Sequence, residues 1–290
     1  MTGMGTALPT PAAASTVSAA RPFTAAPSAR QPFGDHLRYW RRHRRLTQLD
    51  LAHEANVSTR HLSFVETGRA SPSREMVLRL SQRLEIPLRA RNALLVAAGF
   101  APMYHARALD DPALAAAQGA VALVLEAHAP CPALAVDRHW NLVSHNRTVP
   151  LLLAGADADL LQPPVNVLRL ALHPRGLAPR IANLGDWRAH LLERVRRQIG
   201  ASADPALAAL LQELEAYPDP DDAADKPVDA PLDSAGIVVP LKLRTEAGLL
   251  SFISTTTVFG TPVEVTLQEL ALETFFPADP ATADVLRRWA

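Results

Sequence analysis

Cysteine is almost missing: Cys131 is the only one in 290 residues. A single thiol excludes an internal disulfide framework and fits a reducing cytoplasm. Long apolar runs are also missing. No stretch of about 18 uncharged apolar residues occurs, so no segment reads as a membrane span. The first 32 residues, rich in Ala, Pro, Ser and Thr, lack the basic start and continuous apolar core of a secretory signal, and read as a disordered arm. There is no G-x-S-x-G elbow, no phosphate-cradling glycine loop and no H-E-x-x-H pair. "HAPC" (128–131) sets one His and one Cys at metal-like spacing without a second half. "DPDDAAD" (219–225) gathers carboxylates without the glycine and closing glutamate of a calcium loop. The ten histidines form no cluster, and His36, His43, His53 and His61 are expected on helix surfaces. No catalytic residue, metal site or cofactor is expected, and the chain does not read as an enzyme.

What is present is ordinary globular material, 48% hydrophobic and 20% charged, long enough for two domains. The formal net charge of zero conceals an imbalance, since residues 1–100 carry 14 arginines against 6 acidic residues. The densest positive run is "RYWRRHRR" (38–45). A basic amino-terminal part beside an acidic remainder points to a polyanion partner for one half only.

Residues 33–104 read as short helices joined by tight turns. "FGDHLRYWRRHRRL" places Phe33, Leu37, Trp40 and Arg41 on one stripe. "TQLDLAHEA" starts with Thr47 as a cap and Asp50 at the third helical position. Ser58 caps the next segment, "STRHLSFVETG" (58–68). A further helix in "SPSREMVLRLSQRLEIP" turns Met76, Val77, Leu80 and Leu84 inward, and "LRARNALLVAAGFAP" closes the set. Two helices crossing steeply through a short turn need a small residue at the crossing, here Ala52, and a corner tolerant of left-handed backbone, here Asn56. Val57, Leu62 and Val65 then hold the second helix at a fixed angle. Gly68 suits a helix end with positive φ.

This spacing, through "TQLDLAHEANVSTRHLSFVETGRASPS", resembles the helix-turn-helix of the lambda-repressor-like, or XRE, family, with Asn56 standing where glycine is usual. The resemblance implies that "STRHLSFVETG" is a recognition helix entering the major groove. Thr59, Arg60 and Phe64 then occupy base-facing positions. Arg60 suits guanine O6/N7 or a phosphate, and Phe64 either packs on a thymine methyl or is covered by the first helix. Thr59 is either a base contact or a plain first-turn residue. Gln48, Ser58 and Arg69 are placed for phosphates. Glu66 pairs in this family with an arginine of the first helix, here Arg41. Arg42, Arg44 and Arg45 are phosphate contacts or solvated charge. One such domain has a small footprint, so a homodimer on an inverted-repeat operator is expected, with half-sites about 34 Å apart.

Residues 105–131 contain a connecting helix over 113–128, with Leu114, Val121, Val124 and Leu125 on one stripe. "PALAVDRHWNLVSHN" (132–146) reads as a strand with Leu134 and Val136 inward, a turn at Asp137–Arg138, and a strand carrying Trp140 and Leu142. Helices are expected near 147–154, 165–172, 186–199 and 205–216, then a polar loop over 217–234. "GIVVPLKLR", "GLLSFISTTTVFG" and "PVEVTLQEL" read as strands, with turns at Gly248 and "GTP" (260–262). A last helix starts at Asp279–Pro280.

Strands, helices, then strands give residues 132–290 an α+β order with an antiparallel sheet, similar to a PAS-like domain. "ALLVAAGFAP", "PALAVDRHWNLVSHN", "NVLRLALHPRGLAPRIAN" and "DWRAHLLERVRR" resemble the MmyB-like regulators, in which an XRE helix-turn-helix precedes a PAS-like ligand-binding domain. The implied function is a DNA-binding transcription regulator, a repressor by default, that senses a small lipophilic ligand such as a fatty acid. The alternative is a second domain that serves only dimerisation or protein contacts. Candidate pocket residues are Trp140, Leu142, Leu168, Leu172, Leu191, Phe252 and Phe259. Arg147, His173, Arg175 or Arg180 would receive a carboxylate. Burying a dozen methylenes would release roughly 10 kcal/mol before association costs.

Overall fold

A computed structural model describes residues 31–218, 239–259 and 264–289. The arm over 1–32, apart from its last two residues, lies outside the described residues. So do the "GTP" turn and most of the polar loop.

The amino-terminal domain is five helices: α1 (Phe33–His43), α2 (Gln48–Glu54), α3 (Thr59–Glu66), α4 (Arg74–Arg83) and α5 (Leu88–Ala97). Local chemistry starts each helix of the central pair. Thr47 and Asp50 form a reciprocal capping box on α2, and Ser58 accepts from the His61 N–H to open α3. The corner between them is Asn56, at φ 53°, a conformation that Asn tolerates better than most L-residues. Phe33, Leu37, Trp40, Leu51, Leu62, Val65 and Leu80 meet in one core. Gly34 permits the close approach of α1 to α3, because a Cβ there would lie 2.3 Å from the Glu66 carbonyl oxygen. His36 departs from expectation: it is buried, because it faces inward beside Leu37.

The second domain follows as α6 (Ala115–Ala127), β1 (Ala133–Val136), β2 (Leu142–His145), α7 (Val149–Leu152), α8 (Val167–Leu172), α9 (Leu184–Ser202), α10 (Pro205–Glu215), β3 (Leu241–Thr245), β4 (Gly248–Val258), α11 (Val265–Gln268), β5 (Ala271–Pro277) and α12 (Pro280–Trp289). The five strands form an antiparallel sheet in the order β2-β1-β5-β4-β3. Register fixes the two faces. Leu243 opposes Leu250, Leu241 opposes Phe252, Ser254 opposes Phe275, and Glu273 stands between Thr256 and Leu134. These residues point to one side, where α8, α9 and α10 cover them and build the larger core. On the other side Ala133, Ala135 and Leu272 pack against Val121 and Leu125 of α6.

Three sequence expectations are corrected here. Trp140 is not in a strand: it sits in the turn before β2 at φ 67°, stabilised by Asp137, whose carboxylate accepts from the backbone of His139 and Asn141. "PVEVTLQEL" contains the helical turn α11 within its described part, because Glu264 caps it by accepting from the Leu267 N–H. The third strand of the carboxy-terminal set is instead β5, "ALETFFP", central in the sheet. Val124 is 39% exposed and Leu123 72% exposed, so the inward stripe of α6 is narrower than expected.

Candidate functional site

On α3 the exposed side carries Arg60, with its guanidinium 5.4 Å from the half-buried Phe64 ring. The two are one helical turn apart, so they share a face, and stacking holds the arginine extended over the ring. Thr59 is half-buried beside them, while Ser58 and Arg69 are exposed. The inner side of α3 is Leu62, Val65 and Glu66, all buried.

Glu66 anchors the domain. Arg41 donates to it through Nε at 2.6 Å and a terminal nitrogen at 3.0 Å, and Gln48 donates at 2.7 Å. Burial pushes the Glu66 carboxyl up, but Arg41, Gln48 and the nearby Arg38 charge prevail and hold it below the usual glutamate value. One carboxylate therefore ties α1 and α2 to the end of α3. One N–H of the Gln48 amide is committed to that bond, which leaves its second N–H and its carbonyl oxygen for other contacts.

The second domain holds an apolar cavity of about 110 Å³ between the inner sheet face and the helices. Trp140, Leu142, Leu168 and Leu191 line it, with Leu134, Trp187 and Phe275. The other sequence candidates lie elsewhere. Leu172 and Phe252 are spent in the core, and Phe259 packs beside the α6 cluster. The proposed carboxylate anchors are not at the cavity wall either. Arg175 pairs with Asp157 at 2.6 Å, and Arg180 donates to the Leu152 and Ala154 carbonyls at 3.1 and 2.5 Å. His173 accepts from the Arg175 N–H and meets the edge of Tyr217, and Arg147 is exposed.

The charged residues that do reach the cavity are Arg194 of α9 and Glu273 of β5. Arg194 makes two bonds to Glu273, at 2.5 and 3.1 Å, and a third to the Thr256 hydroxyl at 2.7 Å. Its guanidinium lies 4.8 Å from the Trp140 ring centroid. Sequence reading missed this pair because its members are 79 positions apart. The polar Glu273 within the apolar run of β5 was the available signal.

A family model described as helix-turn-helix matches residues 37–90. A second, described as the MmyB-like transcription regulator ligand binding domain, matches residues 117–288, more than half of the chain. The chain belongs to the MmyB-like transcription regulators. No curated protein matches it.

This MmyB-like regulator is therefore a DNA-binding protein with a ligand-binding domain. Its two domains are joined by specific contacts. Arg44, at the end of α1, donates to the Leu84 and Glu85 carbonyls after α4 and to the Gly200 and Ala201 carbonyls of α9, at 2.9–3.1 Å. His43 also contacts the Gly200 oxygen, at 2.7 Å. A guanidinium suits helix carboxy-terminal carbonyls, where unpaired acceptors and the dipole favour positive charge. Arg44 is thus neither a phosphate contact nor free surface charge in this arrangement. Arg89 of α5 clamps Glu269 through two bonds, at 2.8 and 2.7 Å. Between these contacts lies a cleft, and Trp140, Arg194 and Glu273 line both the cleft and the apolar cavity. Among the described residues no helix is long and apolar enough to cross a membrane.

Proposed function

We propose that this regulator is a cytoplasmic repressor that binds an inverted-repeat operator as a homodimer and changes operator affinity when its cavity takes up a lipophilic effector. Arg60 and Phe64 read base edges, with Thr59 beside them, while Ser58, Arg69 and the second amide N–H of Gln48 meet phosphates. Exposed apolar side chains on the outer sheet face support self-association: Ile253 and Phe276 oppose each other there, 37% and 41% exposed, with Leu249 further along β4.

One observation carries the coupling: Trp140, Arg194 and Glu273 wall both the cavity and the interdomain cleft, Arg194 lies on α9, whose end Arg44 grips, and Trp140 donates to Gln198 of the same helix. A ligand that displaces Trp140 or Arg194 moves α9 against α1, and α1 is fastened to the recognition helix through Arg41 and Glu66. Effector and operator then influence each other reciprocally.

A fatty acid is the effector suggested by the family resemblance, and the apolar wall suits an acyl chain. Its length is a constraint. A cavity of about 110 Å³ is smaller than the ~150 Å³ that admits benzene, so a long chain enters only if the surrounding helices part. Organic extraction of the native protein followed by mass spectrometry tests the proposal. A stoichiometric lipophile is the expected result. Extracts without one, together with operator binding indifferent to acyl compounds of every length tried, contradict it.

A further inference from the structure

Resting on the operator reading above, we infer that Arg60 and Phe64 act as one unit that selects a thymine–guanine step, 5′-TG-3′, in each half-site, with the C5-methyl group of the pyrimidine carrying part of the recognition. Arg60 is exposed and, among the described residues, holds no hydrogen-bond or ion-pair partner; its guanidinium lies over the Phe64 ring, 5.4 Å from the centroid. Arg38, Arg41 and Arg44 of α1, by contrast, are each bonded to carboxylate or carbonyl oxygens of the protein. Phe64 is half-buried, yet it belongs neither to the core of its domain nor to the side chains packed against that core. Its backbone is nonetheless fixed, because its carbonyl accepts from the Arg69 and Ala70 N–H groups at 2.8 and 3.2 Å. An aromatic ring held in place outside the core, beneath an uncommitted cation, adds little to the fold and offers a rigid apolar surface to a partner.

The chemistry of the major groove decides what that surface fits. A guanidinium that forks onto guanine O6 and N7 lies near the plane of that base, so its flat faces look along the base stack. A pyrimidine on the 5′ side of the guanine brings its C5 position beside one of those faces. A methyl group there is covered by the guanidinium and the Phe64 ring together. The spacing agrees, because 5.4 Å separates the guanidinium from the ring centroid. Successive bases on one strand rise about 3.4 Å, so the two side chains reach neighbouring base pairs. Cytosine in the pyrimidine position lacks the methyl group and 5-methylcytosine restores it. Burying that one methyl is worth about fourfold in affinity per half-site.

The test uses the full-length protein and operators selected from random duplexes. Selection with the wild type and with Arg60→Ala locates the guanine, as the position whose preference the variant relaxes. Wild-type affinity is then measured for operators carrying thymine, deoxyuridine, cytosine or 5-methylcytosine on the 5′ side of that guanine. Thymine is expected to bind about fourfold more tightly per half-site than deoxyuridine, and 5-methylcytosine to exceed cytosine by the same factor. Phe64→Ala is expected to bring both ratios below about twofold while the guanine preference stays. Equal binding of each methylated base and its unmethylated counterpart overturns the inference and leaves base reading by Arg60 standing. A selection in which Arg60→Ala relaxes no position, or which yields no sequence preference at all, removes the reading on which the inference rests. Methyl ratios unchanged in Phe64→Ala overturn the role given to the ring, and if that variant does not fold, the wild-type ratios decide.

Discussion

The amino-terminal domain and the ligand-binding domain each bury an arginine–glutamate pair, and the two pairs are built differently. Arg41 and Glu66 are surrounded by further donors, Gln48 and Arg38, beside the helical core, and neither lines the cavity or the cleft. Arg194 and Glu273 have Thr256 and Trp140 as neighbours and stand between a cavity and a cleft. The first pair fixes one arrangement of α1, α2 and α3. The second leaves room on both sides, where a ligand or a domain movement can act on it. Buried ion pairs are weak evidence for net stability in general, so the informative quantity is what each loses when one partner is removed.

Removing Glu66 should have the largest effect. Glu66→Ala strands Arg41 in the core and is expected to destabilise the amino-terminal domain by about 3–5 kcal/mol. Denaturant unfolding followed through Trp40 measures it; a loss below about 1 kcal/mol would equate the pair with an exposed one. Arg60→Ala comes next. It should weaken binding to a selected operator by about 1–3 kcal/mol and relax base preference, with the unfolding midpoint unchanged. Uniform weakening across all sequences would make Arg60 a phosphate contact instead.

Arg44→Ala is aimed at the junction between the regions. It should reduce the coupling between lipophile and operator by about 0.5–2 kcal/mol, measured as operator affinity with and without octanoate. Coupling that survives intact would route the signal elsewhere, for instance through Arg89 and Glu269. The smallest effect concerns acid. Glu66 is held below its ordinary value of 4.5 when folded, so its contribution to stability is complete above that value and is lost as pH falls below it. The thermal midpoint should therefore fall on acidification through that window, and Glu66→Gln should fall less steeply. Equal slopes would assign the acid sensitivity to other carboxylates, of which Asp204 is also held low: burial raises it, but the Ala206 N–H, His139 and Arg138 prevail.

The same contrast explains what could be read from sequence. Helix starts at Thr47 and Ser58, the corner at Asn56 and the inward stripe of Leu62 and Val65 all depend on neighbours within a few positions, so they were legible. The α+β order of the second half was legible too, as were the hairpin at Gly248 and the cap at Asp279, which accepts from the Thr282 N–H. Trp140 was misplaced because a left-handed turn held by Asp137 imitates a strand in its apolar spacing. β5 was missed because its buried polar residues, Glu273 and Thr274, break the expected alternation. Arg44 and Arg194 were invisible as junction and cavity residues, since their partners lie 156 and 79 positions away.

The most direct test is reciprocal titration. An operator selected from random duplexes is bound by the full-length protein with and without saturating octanoate, and octanoate is titrated with and without that operator. Both affinities should shift by the same factor, at least about fivefold. Operator affinity that is identical at zero and saturating octanoate, with octanoate shown to be bound, would contradict a ligand-responsive regulator.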